Sequence, residues 1–287
     1  MCGFVITNLK KNIQLHKKVL NHRGPDDSAI FENDYVSIIF NRLSIIDDRK
    51  RSNQPFIKNK LLITFNGEIY NYIELAKKYL KNFNIDKDKT DTQVLLSLHN
   101  NFLAENIPSL LDGMFAYCLH DKKNNILNIV TDIQGEKSLY YYQDDDLIII
   151  SSEINAILEY CPNQKINKDC LNNYFFTRHF MSYDMTPYKK IRKILPGSYE
   201  ILNLNNFEIK RRKYQEINNY IDPNLMENNM SLTNDELAEE LDFIFKENIK
   251  SMTPVNRKFA SVFSGGVDSS LVSYYLNKNI PPEVLIA

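Results

Sequence analysis

Charge of one sign is what this chain most plainly lacks: across 287 residues, 35 Lys and Arg face 36 Asp and Glu, a net charge of -1. Without a positive excess there is no bulk attraction for a phosphate backbone. The basic runs Lys189-Lys190 and Lys210-Arg211-Arg212-Lys213 are short enough to be solvated faces, so no nucleic-acid partner is expected. Long apolar runs are missing too. No stretch approaches the roughly 20 residues of a membrane span, and no basic segment with an apolar core stands at the N-terminus, so the expectation is a cytoplasmic protein with no membrane partner. Cysteine is scarce. Cys2, Cys118, Cys161 and Cys170 show neither paired two-residue spacing nor histidine partners, so free thiols and no bound metal are expected. Nor do the five histidines suggest acid-base work. His22 precedes the Arg23-Gly24-Pro25 turn and His120 ends a strand-like run, both positions suited to local hydrogen bonding.

What is present is an ordinary globular composition, 43% apolar, with length for one large or two modest domains. Runs rich in β-branched and aromatic residues predict strands at Gly3 to Thr7, Val36 to Ile46, Lys60 to Phe65, Met114 to His120, Ile126 to Thr131 and Leu147 to Ser151. Polar breaks at 121–125 and 143–146 suggest antiparallel hairpins. Helical periodicity predicts helices at Tyr72 to Phe83, Thr92 to Phe102, Glu153 to Tyr160 and Lys168 to Arg178. Strands grouped with pairs of helices fit a layered α+β domain over residues 2–215, with helices on the outer faces of packed sheets. Residues 216–234 turn polar and Asn-rich without period and read as a linker. A second segment, 235–287, carries helical spacing from Asp235 to Ile249, a strand from Lys258 to Phe263 and a helix from Ser270 to Asn277.

The residue with the clearest chemistry is Cys2. A side chain this small after the initiator methionine normally permits its removal, which would leave a thiol and a free α-amine on one residue. An α-amine titrates near ~7.7–8.0, so it can serve as the base for its own nucleophile. The pair Asn66-Gly67 reads locally as a common type I′ turn. Arg42 reads locally as a surface ion pair worth under ~1 kcal/mol. Asp91 reads locally as a helix cap or first-turn carboxylate. In the second segment, Phe263-Ser264-Gly265-Gly266-Val267-Asp268-Ser269-Ser270 joins a strand to a helix through glycines, the ingredients of a phosphate cradle. It lacks the lysine of a Walker A loop.

The terminal Met-Cys-Gly and this Ser-Gly-Gly string together resemble the glutamine-hydrolysing asparagine synthetases. Landmarks between them follow that family's order: Arg23-Gly24-Pro25-Asp26, Arg42-Leu43-Ser44-Ile45-Ile46-Asp47, Phe65-Asn66-Gly67-Glu68-Ile69-Tyr70-Asn71, Asp91-Thr92, Leu111-Asp112-Gly113-Met114-Phe115-Ala116, Gly135-Glu136-Lys137, Ser152-Glu153-Ile154 and Pro196-Gly197. The resemblance implies a class II glutaminase domain with the αββα four-layer sandwich of N-terminal-nucleophile hydrolases, followed by the start of an α/β ATP-pyrophosphatase domain. It implies that Cys2 attacks glutamine, that Asn66 and Gly67 form an oxyanion hole, and that Arg42, Glu68, Asp91 and the backbone near Ile46 hold the substrate. Arg23 to Asp26 would be structural and site-supporting. Phe263, Ser264, Gly265, Gly266, Asp268 and Ser269 would bind ATP. Departures from the family stand at Asn41, Gln93, Ser138 and Ser198, none of them at the implied glutamine contacts.

By the same resemblance the glutaminase step needs no cofactor, whereas amidation of aspartate needs ATP and Mg2+. The stretch after Ser264 is too short for the several βα units of a nucleotide-binding sheet, so the expectation is a shortened synthetase half and a chain that supports only glutaminase chemistry. Three alternatives stay open here: a fragment of an asparagine synthetase, a stand-alone glutaminase supplying a partner or a different acid acceptor, and a non-enzymatic relic. A homodimer or a partner supplying the missing domain is equally open.

Overall fold

The computed structural model describes residues 1–8, 19–45, 52–81, 90–180, 184–253, 259–279 and 284–286. Its strands are β1 Gly3–Thr7, β2 Asp27–Glu32, β3 Ser37–Arg42, β4 Phe56–Lys58, β5 Leu61–Ile69, β6 Gly113–Asp121, β7 Ile126–Thr131, β8 Tyr140–Gln143, β9 Ile148–Ser151, β10 Ile191–Lys193, β11 Ser198–Asn203, β12 Ile209–Lys213, β13 Ala260–Val262 and β14 Val284–Ile286. Its helices are α1 Tyr72–Tyr79, α2 Asp91–Asn101, α3 Ile154–Tyr160, α4 Lys168–Thr177, α5 Pro223–Met230, α6 Asn234–Met252 and α7 Val267–Asn279. Two compact units divide the chain, Met1–Glu216 and Ile217–Ala287.

The first unit holds two six-stranded sheets, ordered β10-β8-β9-β1-β3-β2 and β12-β11-β7-β6-β5-β4. Every pairing in both is antiparallel. Strand alternation sorts each strand's side chains onto two faces, and three apolar clusters follow from it. Phe4, Ile6, Ile38 and Phe40 of the first sheet meet Leu62, Ala116, Cys118 and Ile129 of the second. Ile63, Phe65, Phe115 and Tyr117 point the other way, under Leu75, Val94, Leu95 and Leu98 of α1 and α2. Val5, Tyr142 and Ile149 do the same for Ala156 and Ile157 of α3. The result is helix, sheet, sheet, helix: the αββα sandwich. Strand β1, covered on both faces, is buried at all five positions. Each of its larger side chains contributes about 1.5–3 kcal/mol of burial.

Several strands lie where no strand pattern was expected. Strand β2 is a half-exposed edge strand, and β12 is the run Ile209-Lys210-Arg211-Arg212-Lys213, mostly exposed beside β11. The basic stretch is therefore a solvated face, as expected, but on a sheet edge. Edge strands with charged side chains give no apolar alternation to read.

In the second unit, the segment read as linker contains a 3-10 turn, Ile217–Tyr220, and α5. Helix α5 starts on local chemistry where periodicity is silent: Asp222 accepts from Asn224 and Leu225 N–H groups at 2.9 and 3.4 Å, and Pro223 opens the first turn. Thr233 and Glu236 close a capping box on α6. Strands β13 and β14 pair in parallel, and β13 leads through residues 263–266 into α7.

Candidate active site

The parity that builds the inter-sheet core also builds the site. Cys2 continues the face of Phe4 and Ile6, Arg42 that of Ile38 and Phe40, and Asn66 and Glu68 that of Leu62. All four side chains therefore point into the gap between the sheets, at the end where its apolar filling stops. Cys2, Arg42, Asn66, Gly67, Glu68 and Asp91 line one cavity there, of about 90 Å³. Ile46 lies outside the described residues; its neighbour Ile45 lines the cavity.

Cys2 is held by backbone on both sides. Its thiol lies 3.5 Å from the Leu43 carbonyl, to which it donates, and 3.4 Å from the Leu43 N–H, from which it accepts. Burial pushes the thiol above its ordinary range, while the Leu43 N–H, the terminal ammonium and Arg42 pull it down. Burial also lowers the terminal amine on Met1, with Arg23 and Lys137 adding to the effect. Arg23 donates from Nε to the Cys2 carbonyl at 2.9 Å and from Nη1 to Glu153 at 3.0 Å. Its neighbour Gly24 runs so close to β3 that a Cβ would lie 2.3 Å from the Asn41 carbonyl carbon. Asp26 accepts the Ser44 N–H at 2.7 Å. The Arg23-Gly24-Pro25-Asp26 motif thus pins Cys2 to the loop after β3.

Asn66 and Gly67 do not form a turn. They sit inside β5, paired with Ala116 and Phe115 of β6. Asn66 is 1% exposed, and its Nδ2 meets no hydrogen-bond partner among the described residues. A buried N–H donor without an acceptor costs roughly 1–3 kcal/mol, a penalty that an oxygen bound in the cavity would remove. Gly67 has φ +154°, and a Cβ there would lie 2.1 Å from the Met114 carbonyl oxygen. The strand before them is fixed by Gln54, whose amide donates to the Phe65 carbonyl at 3.0 Å and accepts the Phe65 N–H at 2.6 Å.

Arg42 is only 7% exposed and donates to Asn53 Oδ1 at 2.7 Å, so the surface ion-pair alternative does not describe it. Asp91 is the first residue of α2; Thr90 is the cap, accepting the Gln93 N–H. The Asp91 carboxylate accepts the Ile69 N–H at 3.1 Å and the Thr92 N–H at 2.6 Å. Burial nevertheless pushes it up to about 7, against those two donors and with the Glu68 charge adding. Glu68 is itself raised by burial, with Lys137 opposing.

Lys137, Gln54 and Asp132 are the participants that the sequence did not disclose. Lys137 was visible only as a landmark; Gln54 acts on the Phe65 backbone, and Asp132 gathers N–H groups from Phe115 as well as from its own loop, arrangements that leave no local pattern to find. In the second unit, Phe263, Ser264, Gly265 and Gly266 form an open loop, and Asp268 and Ser269 lie in the first turn of α7. Gly265 has φ +78°, and a Cβ there would meet nothing within 4 Å. Ser264 and Ser269 hydroxyls meet at 3.0 Å, and α7 begins at Val267, three residues earlier than its periodicity suggested. Among the described residues, no three His, Cys, Asp or Glu side chains come together as a metal site. No described helix is long and apolar enough to cross a membrane.

An αββα sandwich in which Cys2, the buried Asn66 carboxamide, Arg42 and two carboxylates line one cavity defines the class: an N-terminal-nucleophile hydrolase fold. The comparisons specify the family. Residues 1–215 match the glutamine amidotransferase domain, and the chain belongs to that family. A Methanocaldococcus jannaschii protein that carries the name asparagine synthetase [glutamine-hydrolyzing] 2 is 32% identical over 288 residues, 92% of this chain and 53% of that protein. Bacillus subtilis asparagine synthetase [glutamine-hydrolyzing] 1 is 30% identical, over 95% of this chain and 43% of its own length. The chain spans about half the length of these relatives. Among solved structures, the glutamine phosphoribosylpyrophosphate amidotransferase of B. subtilis, complexed with ADP and GMP, superposes with a TM-score of 0.54. The identity is 15%, covering 99% of this chain and 65% of that one. At that identity the likeness establishes the fold.

Proposed function

We propose that this chain hydrolyses L-glutamine at Cys2. The observation that carries the reading is the meeting of Cys2, Arg42, Asn66, Gly67, Glu68 and Asp91 around one cavity, with the Asn66 Nδ2 donor unpartnered in its wall. Removal of Met1 bares the Cys2 α-amine, which takes the thiol proton as sulfur attacks the side-chain carbonyl carbon of glutamine. The carbonyl oxygen becomes an oxyanion, accepting from Asn66 Nδ2 and the Gly67 N–H, donors worth roughly 3 kcal/mol each in comparable sites. The amine returns its proton to the departing nitrogen, so the carbon–nitrogen bond breaks and ammonia leaves a thioester on sulfur. Water, deprotonated by the same amine, then cleaves the thioester to glutamate and free thiol. Arg42 receives the substrate α-carboxylate, while Asp91 and Glu68 receive its α-ammonium.

The relatives' names support a larger role in asparagine synthesis, which we read as amidation of aspartate by the released ammonia in an ATP-dependent ligase. Phe263, Ser264, Gly265, Gly266, Asp268 and Ser269 would then hold the nucleotide phosphates, and the open space over Gly265 fits such a group. ATP, with its Mg2+, would supply the activation of the acceptor carboxylate.

The glutaminase reading is tested by incubating Met-free protein with L-glutamine and following glutamate. Release by the wild type and none by Cys2→Ala is expected; equal release by both overturns it. The acceptor is tested by asparagine formation from aspartate, ATP and glutamine in a protein of the relatives' full length.

A further inference from the structure

Met1 and Lys137 line both the Cys2 cavity and a second cavity of about 380 Å³, which is bounded also by Arg23, Tyr140 and Glu153. Lys137 is only 7% exposed, and its ammonium donates to Met1 Sδ at 3.2 Å. A thioether is a weak acceptor, poorly matched to a buried cation. The position is nonetheless firmly built. The Asp132 carboxylate accepts the Phe115, Gln134, Glu136 and Lys137 N–H groups at 3.1, 3.0, 3.0 and 3.1 Å. Its carbonyl accepts Gly135 and Gly197 N–H groups at 3.1 and 2.8 Å. This knot fixes the Lys137 backbone at the wall between the cavities.

The charged and titratable groups around the chain terminus are Cys2 and Asp26, which favour its positive charge, and Arg23 and Lys137, which oppose it. Those around the thiol are Arg42 and Asp91. Glu68 lies in the same cavity, and Glu136 and Glu153 line the second one. Glu153 is already engaged by Arg23 and His22.

We propose that Lys137 is a positioning residue for hydrolysis: once Met1 is gone, its ammonium faces the bared Cys2 amine, disfavours a second positive charge there, and so keeps that amine free to take the thiol proton. Met1 removal therefore does two things, exposing the base and releasing the lysine from the methionine sulfur. The inference rests on the glutaminase reading. A nearby positive charge favours the neutral amine, so deleting it must move the acid limb of kcat/KM to higher pH.

The test follows glutamate release between about pH 5 and pH 9 for wild type, Lys137→Met, Lys137→Gln and Lys137→Arg, with Met1 removal confirmed by intact mass. The expected result is an acid limb displaced upward by about half a unit or more in the Met and Gln variants, whichever of them folds, and restored in the Arg variant. Glutamine KM should stay within about twofold. An unmoved limb overturns the proposal. A raised KM with an unmoved limb also overturns it, making Lys137 a substrate contact. If Met-free wild type releases no glutamate at all, the glutaminase reading falls and takes this inference with it.

Discussion

A methyl group on Gly67 would lie 2.1 Å from the carbonyl oxygen of Met114, on the strand that pairs with it. Gly67→Ala must therefore part β5 from β6 beside Asn66. The expected cost is about 1–3 kcal/mol of stability, as for other overpacked sites. Urea unfolding would show a lower midpoint at unchanged slope, and kcat for glutamate release would fall more than KM rises.

Asn66→Ala removes a buried, unpartnered donor to which the proposed reaction assigns the oxyanion. Stability should hold or improve slightly, because an unpaired polar group leaves the interior. Turnover should drop by about 10²–10³ with little change in KM, since the lost interaction belongs to the transition state. Steady-state kinetics and a thermal melt on one sample separate the two effects.

Asp91 ties stability and substrate binding to pH. Its carboxyl titrates near 4 when unfolded and about 7 when folded, with burial the main cause. The folded state therefore binds the extra proton between these values. This contribution is fully present below about pH 4 and is lost as pH rises through about 7. Asp91→Asn, unable to ionise, should gain stability relative to wild type across that window and then level off. A glutamine ammonium favours the charged carboxylate, so glutamine affinity of the Cys2→Ala protein should rise with pH up to about 7. Calorimetry in buffers of differing ionisation enthalpy would register the proton released.

Glu200 on β11, 1% exposed, accepts from both Arg192 Nη atoms of β10, at 3.0 and 2.6 Å, and so ties one sheet to the other. Glu200→Ala leaves a guanidinium without its counter-charge and should cost about 3–5 kcal/mol. The double variant Arg192→Met/Glu200→Leu should recover most of that loss. Chemical denaturation of the three proteins gives the answer, and equal loss in the single and double variants would contradict it.

The sequence disclosed the strands that have apolar neighbours on both faces or alternate cleanly, such as β1, β6 and β7. It concealed β2 and β12, edge strands whose exposed positions mix Ile30 with Glu32 in one and run from Lys210 to Lys213 in the other, so neither alternates cleanly. Cys2 could be read from its position alone. Asn66-Gly67 could not be told from a hairpin turn until β6 was seen beside it. Lys137 stayed hidden because its place depends on Asp132 collecting N–H groups from β6 and from its own loop, an arrangement without a local signature.

The placement of Asn66 and Gly67 within a strand has a consequence for the protein's ageing. In a loose chain this dipeptide is chemically frail: the glycine nitrogen attacks the asparagine side-chain carbon, a succinimide ring closes, and hydrolysis yields aspartate or isoaspartate. Extended backbone locked to a neighbouring strand holds those atoms out of reach of each other. The native state thus shelters the bond, and every excursion into the unfolded ensemble exposes it. Damage gathered there would turn an N–H donor into a carboxylate, so a molecule's unfolding history would be written permanently into its chemistry.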